Sequence, residues 1–137
     1  RLNDGAHRNW SARKLQHIYD SILKRCKKYL RKGNRQGAKY QACLRPYAPH
    51  RTRVARDNVF YAFHRESDVG EYAAELAVRY YLEHRAVMLK LSPRIRKRAL
   101  GYSAPGKFKC GPKENATAWK LIADEFFGGA DRTGPCP

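Results

Sequence analysis

Lysines and arginines are the residues of this sequence whose type and spacing best suit a chemical role. They fall in three clusters, Lys24–Arg35, Arg45–Arg56 and Arg94–Arg98. The 137 residues include 29 basic and 12 acidic side chains, a formal charge of +17. Such a chain attracts polyanions. Nucleic acid is the first partner to consider, and acidic proteins and anionic lipids are the other candidates.

Patterns typical of catalysis are not found in the sequence. The five histidines form no HExxH pair, and neither a glycine-rich phosphate loop nor a GxSxG motif occurs. Carboxylates are scarce, and none is placed as half of an acid/base pair. His84 falls on the apolar face of a predicted helix, where a structural role is the expectation. We therefore predict a protein that is not an enzyme and has no metal site.

The four cysteines, Cys26, Cys43, Cys110 and Cys136, show neither a CxxC motif nor zinc-finger spacing. We interpret them as reduced thiols in a reducing compartment. No apolar run approaches the ~18–20 residues of a membrane span, so we also predict no transmembrane segment.

Apolar residues that recur every three or four positions predict the elements that position these side chains. The pattern predicts helices over residues 11–32, 38–44, 52–65, 73–91, 93–100 and 114–127. Asp68 and Glu71 resemble a capping box, and Ser92-Pro93 provides an N-cap followed by a first-turn proline.

The fold class predicted from these elements is all-α, with three long amphipathic helices packed as a bundle. Residues 1–10 are predicted to be an N-terminal arm and residues 11–91 the bundle. Residues 92–137 are predicted to be an irregular, partly helical basic C-terminal extension that docks on neighbouring subunits. Its last ten residues, GGADRTGPCP, are predicted to be flexible.

Residues 17–29, HIYDSILKRCKKY, resemble the opening helix of the LYR-motif family. In that family a Leu-Tyr-Arg triplet precedes an aliphatic pair and a basic run. Here Ile18-Tyr19-Asp20 takes the place of the triplet, with an acid where the family has a base. Ile22-Leu23 matches the aliphatic pair, and the four basic residues between Lys24 and Lys28 match the basic run.

A second stretch, residues 56–69 (RDNVFYAFHRESDV), is similar to the second-helix signature of the same family. Phe63 matches a phenylalanine that lies near the end of that helix. Within the family, the stretch most resembles members that are accessory subunits in the matrix arm of respiratory complex I. The similarity covers about residues 15–91.

The resemblance implies a mitochondrial protein on the matrix side of the inner membrane and peripheral to it. It implies a non-catalytic accessory subunit of complex I that contacts other subunits of that complex and binds acyl carrier protein. The protein would have no cofactor of its own, but the acyl-4'-phosphopantetheine of its partner would enter between the helices.

Two sets of residues would carry that interaction. The side chains expected to meet the acyl carrier protein are Lys24, Arg25, Lys27, Lys28 and Arg56. The side chains expected to line an acyl-chain slot are Ile18, Tyr19, Ile22, Leu23 and Phe63. Surface lysines and arginines suit an acidic carrier and its phosphate, because opposite charges steer the encounter and fix the register.

Two alternatives are retained. The first is an RNA-binding protein, such as a mitochondrial ribosomal protein, in which the same basic side chains contact phosphates and aromatic residues stack on bases. The second is a transient assembly factor of the LYR type.

Overall fold

A computed structural model describes residues 7–31, 37–54, 59–64, 67–104 and 106–137. The all-α prediction is confirmed within these ranges. The α-helices are α1 (Trp10–Lys14), α2 (Gln16–Cys26), α3 (Ala38–Leu44), α4 (Val69–Met88), α5 (Pro93–Leu100) and α6 (Lys113–Phe126). Short 3-10 turns cover Lys27–Tyr29, Arg45–Tyr47, Tyr61–Phe63 and Phe108–Cys110.

The capping residues predicted for α4 and α5 lie where the sequence places them. The Asp68 carboxylate accepts a hydrogen bond from the Gly70 amide at 2.8 Å, and Ser92 caps α5 with Pro93 in the first turn. Gly101 ends α5 in the left-handed conformation, at φ 76°. These caps satisfy backbone groups that a helix end leaves unpaired.

The predicted first helix is confirmed over residues 11–26 with one interruption. Leu15, at φ −110°, separates α1 from α2, and its fully buried side chain anchors the break in the core. The helix ends at Cys26, earlier than the predicted Lys32, and the chain continues into a 3-10 turn.

The helix predicted over residues 52–65 is wrong for the part of that segment that the structure describes. Arg53 and Phe60 form an isolated antiparallel bridge, flanked by hydrogen bonds from the Val54 amide to the Val59 carbonyl and from the Tyr61 amide to the Thr52 carbonyl. A 3-10 turn over residues 61–63 follows the bridge. The apolar residues are buried here by short extended pairing, and not by a helical face.

The hydrophobic core joins both ends of the chain to the middle. Its largest fully buried apolar side chains include Trp10, Leu15, Ile22, Phe63, Tyr72, Leu76 and Ile122. The last helix, α6, contributes Trp119 and Ile122 to the same cluster as α2 and α4, so residues 113–126 pack with the bundle. Whether residues 92–137 also dock on other subunits stays a prediction.

The prediction of reduced cysteines is wrong, because all four cysteines are paired. Cys26 is bonded to Cys43, which joins α2 to α3, and Cys110 is bonded to Cys136 near the C-terminus. Disulfides persist in oxidising compartments, so the cysteines no longer support a reducing location.

The C-terminal residues are held against α6, contrary to the flexible end predicted for them. The Asp131 carboxylate accepts hydrogen bonds from Lys109 at 2.7 Å, from the Trp119 indole at 3.0 Å and from the Thr133 hydroxyl at 2.7 Å. Although partial burial raises the pKa of Asp131, these donors together hold it below the usual range of an aspartate. Asp131 and the Cys110–Cys136 disulfide therefore fasten this end of the chain.

Candidate anion-binding cleft

Two of the three basic clusters of the sequence meet in one cleft of about 450 Å3. The cluster at residues 45–53 forms one side, and the basic face of α5 forms the other. The lining residues are Arg45, Arg51, Arg53, Phe60, Arg94, Lys97, Arg98, Tyr102 and Ser103. Six of these nine described residues are cations, and none is a carboxylate.

Helical spacing explains how α5 presents its charges. Arg94, Lys97 and Arg98 stand at positions i, i+3 and i+4, which lie on one face of a helix. The stretches that supply the cleft also contain no acid, because none occurs between Asp20 and Asp57 or between Glu83 and Glu114. The positive field of the cleft is therefore not offset by neighbours in the chain.

Backbone contacts hold the two sides of the cleft together. The Arg51 amide donates to the Gly101 carbonyl at 2.8 Å, and the Ser103 hydroxyl donates to the Ala48 carbonyl. The His50 ring packs so closely on Gly101 that a Cβ atom there would overlap it. A glycine is needed at 101 for this approach as well as for its positive φ.

A buried ion pair lies beneath the cleft. Arg79, 1% exposed, donates from Nε to Glu83 at 2.7 Å. It also donates to the carbonyls of Pro49 at 3.1 Å and Gly106 at 3.0 Å, so it ties the 45–53 segment to the segment that follows Ser103. Burial lowers the pKa of Arg79, and the adjacent Glu83 opposes that shift.

The aromatic residues of the cleft form its floor. The Arg53 guanidinium lies 4.6 Å from the centre of the Phe60 ring, and that of Arg79 lies 3.9 Å from the centre of the Tyr102 ring. Phe60 is 1% exposed and Tyr102 3% exposed. Burial raises the pKa of Tyr102 to about 12, so its hydroxyl is neutral at physiological pH. With so little ring surface exposed, these aromatics are poorly placed to stack on nucleic acid bases.

A titratable pair lies behind the cleft wall. Glu75 Oε2 is 4.0 Å from His50 Nδ1. Burial raises the pKa of Glu75 to about 7, and burial together with Arg51 and Arg79 lowers the pKa of His50. Within the described residues, the other carboxylate oxygen of Glu75 is buried without a hydrogen-bond partner. Both groups therefore favour their neutral forms in the folded protein.

The cleft suits a ligand that carries phosphate groups. Arginine guanidinium groups present planar, paired N–H donors that match phosphate oxygens, and they stay charged at any physiological pH. In the ranges the structure describes, no group of three histidine, cysteine or acidic side chains could hold a metal ion. No described helix is both long enough and apolar enough to cross a membrane.

Of the residues predicted to meet an acyl carrier protein, those that the structure describes are not among the lining residues of this cleft. Lys24, Lys27 and Lys28 are exposed at the end of α2. Arg25 is held by an ion pair with the buried Glu114, at 2.8 Å, and Arg56 lies outside the described residues. Lys28 also borders a second basic depression, of about 520 Å3, with Arg31 and Lys39.

Most of the residues predicted to line an acyl-chain slot are buried in the core. Ile18, Tyr19, Ile22 and Phe63 are at most 5% exposed, and Leu23 is half-buried. The rings of Tyr19 and Phe63 lie 5.7 Å apart, and each lies 5.8 Å from that of Tyr72. The predicted slot residues thus belong to one packed cluster, and a role in holding an acyl chain stays a prediction.

Arg79 and Glu83 are the important residues that the sequence interpretation did not single out. They stand four positions apart in the buried stripe of α4 that also contains Leu76 and Tyr80. An Arg–Glu pair at i, i+4 within an apolar stripe is a readable signal of a buried ion pair. His84, predicted to be structural, is half-buried and contacts the Tyr80 carbonyl and the Arg132 amide.

Together the fold and the cleft define a disulfide-bonded protein that is helical over the residues the structure describes and that carries an arginine-lined cleft. Comparison with protein-family models, curated proteins and solved structures gives no significant match for this chain.

Proposed function

We propose that the protein is a binding protein, without catalysis of its own, that holds a phosphate-bearing partner in the arginine-lined cleft. The observation that carries this proposal is the convergence of Arg45, Arg51 and Arg53 with the basic face of α5. Like charges repel, so a fold that gathers them in one cleft is destabilised by that repulsion. An anionic ligand in the cleft would offset the repulsion.

The test is calorimetric titration with inorganic tripolyphosphate, a compact probe that carries phosphate and nothing else. The variant Arg51→Glu/Arg98→Glu reverses one charge on each side of the cleft. We expect it to weaken binding at least about tenfold, because each charge-assisted contact is worth roughly 1.5–3 kcal/mol.

The matched control is Lys24→Glu/Lys27→Glu, which changes the net charge by the same amount at the end of α2. Those two lysines are exposed and are not lining residues of the cleft. The control variant should retain most of the affinity. An equal loss in both variants would show that overall charge, and not the cleft, attracts the probe.

The accessory-subunit hypothesis for complex I is the second candidate, and one observation favours it. Lys24, near the end of α2, and Lys27 and Lys28, in the 3-10 turn that follows it, are exposed basic residues of the kind that binding to an acyl carrier protein requires. The closed packing around Tyr19 and Phe63 and the two disulfides weigh against an acyl slot and a matrix location.

A pull-down with intact-mass analysis separates the two candidates. Recovery of a carrier protein bearing an acyl-phosphopantetheine, lost in the Lys24→Glu/Lys27→Glu variant, would favour the accessory subunit. Arg25 is unsuitable for this test, because its reversal would leave the buried carboxylate of Glu114 unpaired.

A further inference from the structure

An exposed apolar corner adjoins the cleft, where α4 turns into α5. Met88 is 80% exposed, Leu89 54%, Ile95 48% and Val87 38%. Three of these residues are consecutive at the end of α4, and Ile95 lies in the first turn of α5. Isolated exposed apolar residues are ordinary, but three consecutive exposed apolar residues at a helix end are a candidate contact surface.

The corner is held by hydrogen bonds and is not a frayed helix end. The Leu89 amide donates to the Arg85 carbonyl at 2.9 Å, and the Leu91 amide donates to the Ala86 carbonyl at 3.0 Å. Lys90 occupies the left-handed conformation between them, at φ 53°. The fold therefore presents Met88 and Leu89 to solvent in a fixed position.

Exposed basic residues flank this apolar group along the chain. Arg85, Lys90 and Arg94 are exposed within and beside the corner, and α5 continues into Lys97 and Arg98 of the cleft. No acid occurs between Glu83 and Glu114. An apolar tip with a cationic rim matches the interface of an anionic bilayer, where acyl chains lie beneath a layer of phosphate groups.

We infer that this corner docks on the surface of an anionic lipid bilayer. Val87, Met88, Leu89 and Ile95 enter the interfacial region, and the cations of α5 and the cleft meet lipid phosphates. The phosphate contacts in this inference rest on the proposed function, and the lipid headgroups are the source of the phosphate. A second copy of the chain is a poor occupant, because two basic corners would repel each other.

The test is co-sedimentation with vesicles of phosphatidylcholine alone and of phosphatidylcholine mixed with phosphatidylglycerol. We expect binding to the mixed vesicles only. Met88→Ser/Leu89→Ser should weaken that binding at least about tenfold, because it removes the apolar anchor. The same variant should bind tripolyphosphate as the unmodified protein does, since neither residue lines the cleft.

The matched control is Val78→Ser/Tyr81→Ser, which removes two apolar side chains that are 48% and 58% exposed and lie about two to three turns before Met88 on α4. It should bind the mixed vesicles normally. Equal loss in both variants would overturn docking by the corner, because the whole outer face of α4 would then be involved.

Fluorescence gives an independent reading of insertion. Trp10 and Trp119 are 1% and 2% exposed and provide a constant background. In the variant Met88→Trp, emission should shift to shorter wavelength with mixed vesicles and stay unchanged with neutral ones. An unchanged emission with bound vesicles would overturn insertion of the corner.

The outcomes separate this inference from the proposed function. Binding of tripolyphosphate without binding of mixed vesicles would overturn the inference and leave the cleft intact. Failure of both would overturn the proposed function as well. Single-stranded RNA provides the last comparison. The lipid inference is wrong, and the partner is nucleic acid, if RNA displaces the protein from vesicles and also binds the Met88→Ser/Leu89→Ser variant as tightly as the unmodified protein.

Discussion

Replacing Arg79 with methionine is the most informative single perturbation of the fold. The substitution keeps much of the side-chain volume but leaves the Glu83 carboxylate, 3% exposed, without its ion-pair partner. The carbonyls of Pro49 and Gly106 also lose the hydrogen bonds that the Arg79 guanidinium donates to them.

The expected cost follows from these contacts. Removing one partner of a buried ion pair costs roughly 3–5 kcal/mol, because the remaining charge stays buried and unpaired. The free energy of unfolding of a domain is about 5–15 kcal/mol, so the loss is a large part of the total. With a urea m-value of about 2 kcal/mol/M, the unfolding midpoint should fall by roughly 2 M.

Urea unfolding followed by circular dichroism measures the effect. Arg85→Met serves as the control, since Arg85 is exposed on the same helix and its loss should change stability by less than about 0.5 kcal/mol. The double variant Arg79→Met/Glu83→Met should recover part of the loss, because it removes the unpaired charge. A loss below about 1 kcal/mol in Arg79→Met would refute the reasoning.

Three further predictions concern stability. Burial raises the pKa of Glu75 from 4.5 to about 7, so between pH 4.5 and pH 7 the unfolded state binds fewer protons than the folded state. The free energy of unfolding should therefore fall by roughly 3 kcal/mol as the pH rises from 4.5 to 7. Urea unfolding at several pH values should show that the fall is smaller in Glu75→Gln. Replacing both cysteines of the disulfide between α2 and α3 with serine should cost about 3 kcal/mol in thermal unfolding, since the two cysteines stand 17 positions apart in the sequence; an unchanged midpoint would mean that the bond does not restrict the unfolded chain. Gly101→Ala should destabilise the protein more than Gly106→Ala, because both glycines have positive φ but only at 101 would the new methyl group meet the His50 ring; equal losses would mean that this contact is easily relieved.

Local signals in the sequence predicted most helices well. The helix over 38–44 appears as predicted. The start of α5 at Ser92-Pro93 and its end at Gly101 also appear as predicted, because capping depends on residues close in sequence. The helix predicted over 52–65 was wrong in the residues that the structure describes there, because Val59, Phe60 and Phe63 form a dense apolar run with no clear period. Such a run fits a buried helix or short extended pairing equally well.

The cleft could be predicted only in part. The basic clusters were visible as composition, but their meeting depends on contacts between residues far apart, such as the Arg51 amide with the Gly101 carbonyl. The disulfides escaped prediction for the same reason, because packing of α2 on α3 brings Cys26 to Cys43. The sequence predicted the burial of Ile18 and Phe63, but periodicity does not distinguish a filled core from a ligand channel.

The gathering of six cations in one cleft has a consequence for how the protein responds to salt. Without a ligand these side chains repel one another, and added salt screens the repulsion over a Debye length of about 10 Å at 0.1 M. Moderate sodium chloride should therefore raise the unfolding temperature of the free protein while it weakens binding of tripolyphosphate. Salt would act as a weak substitute for the ligand, so stability and affinity should change in opposite directions along one titration.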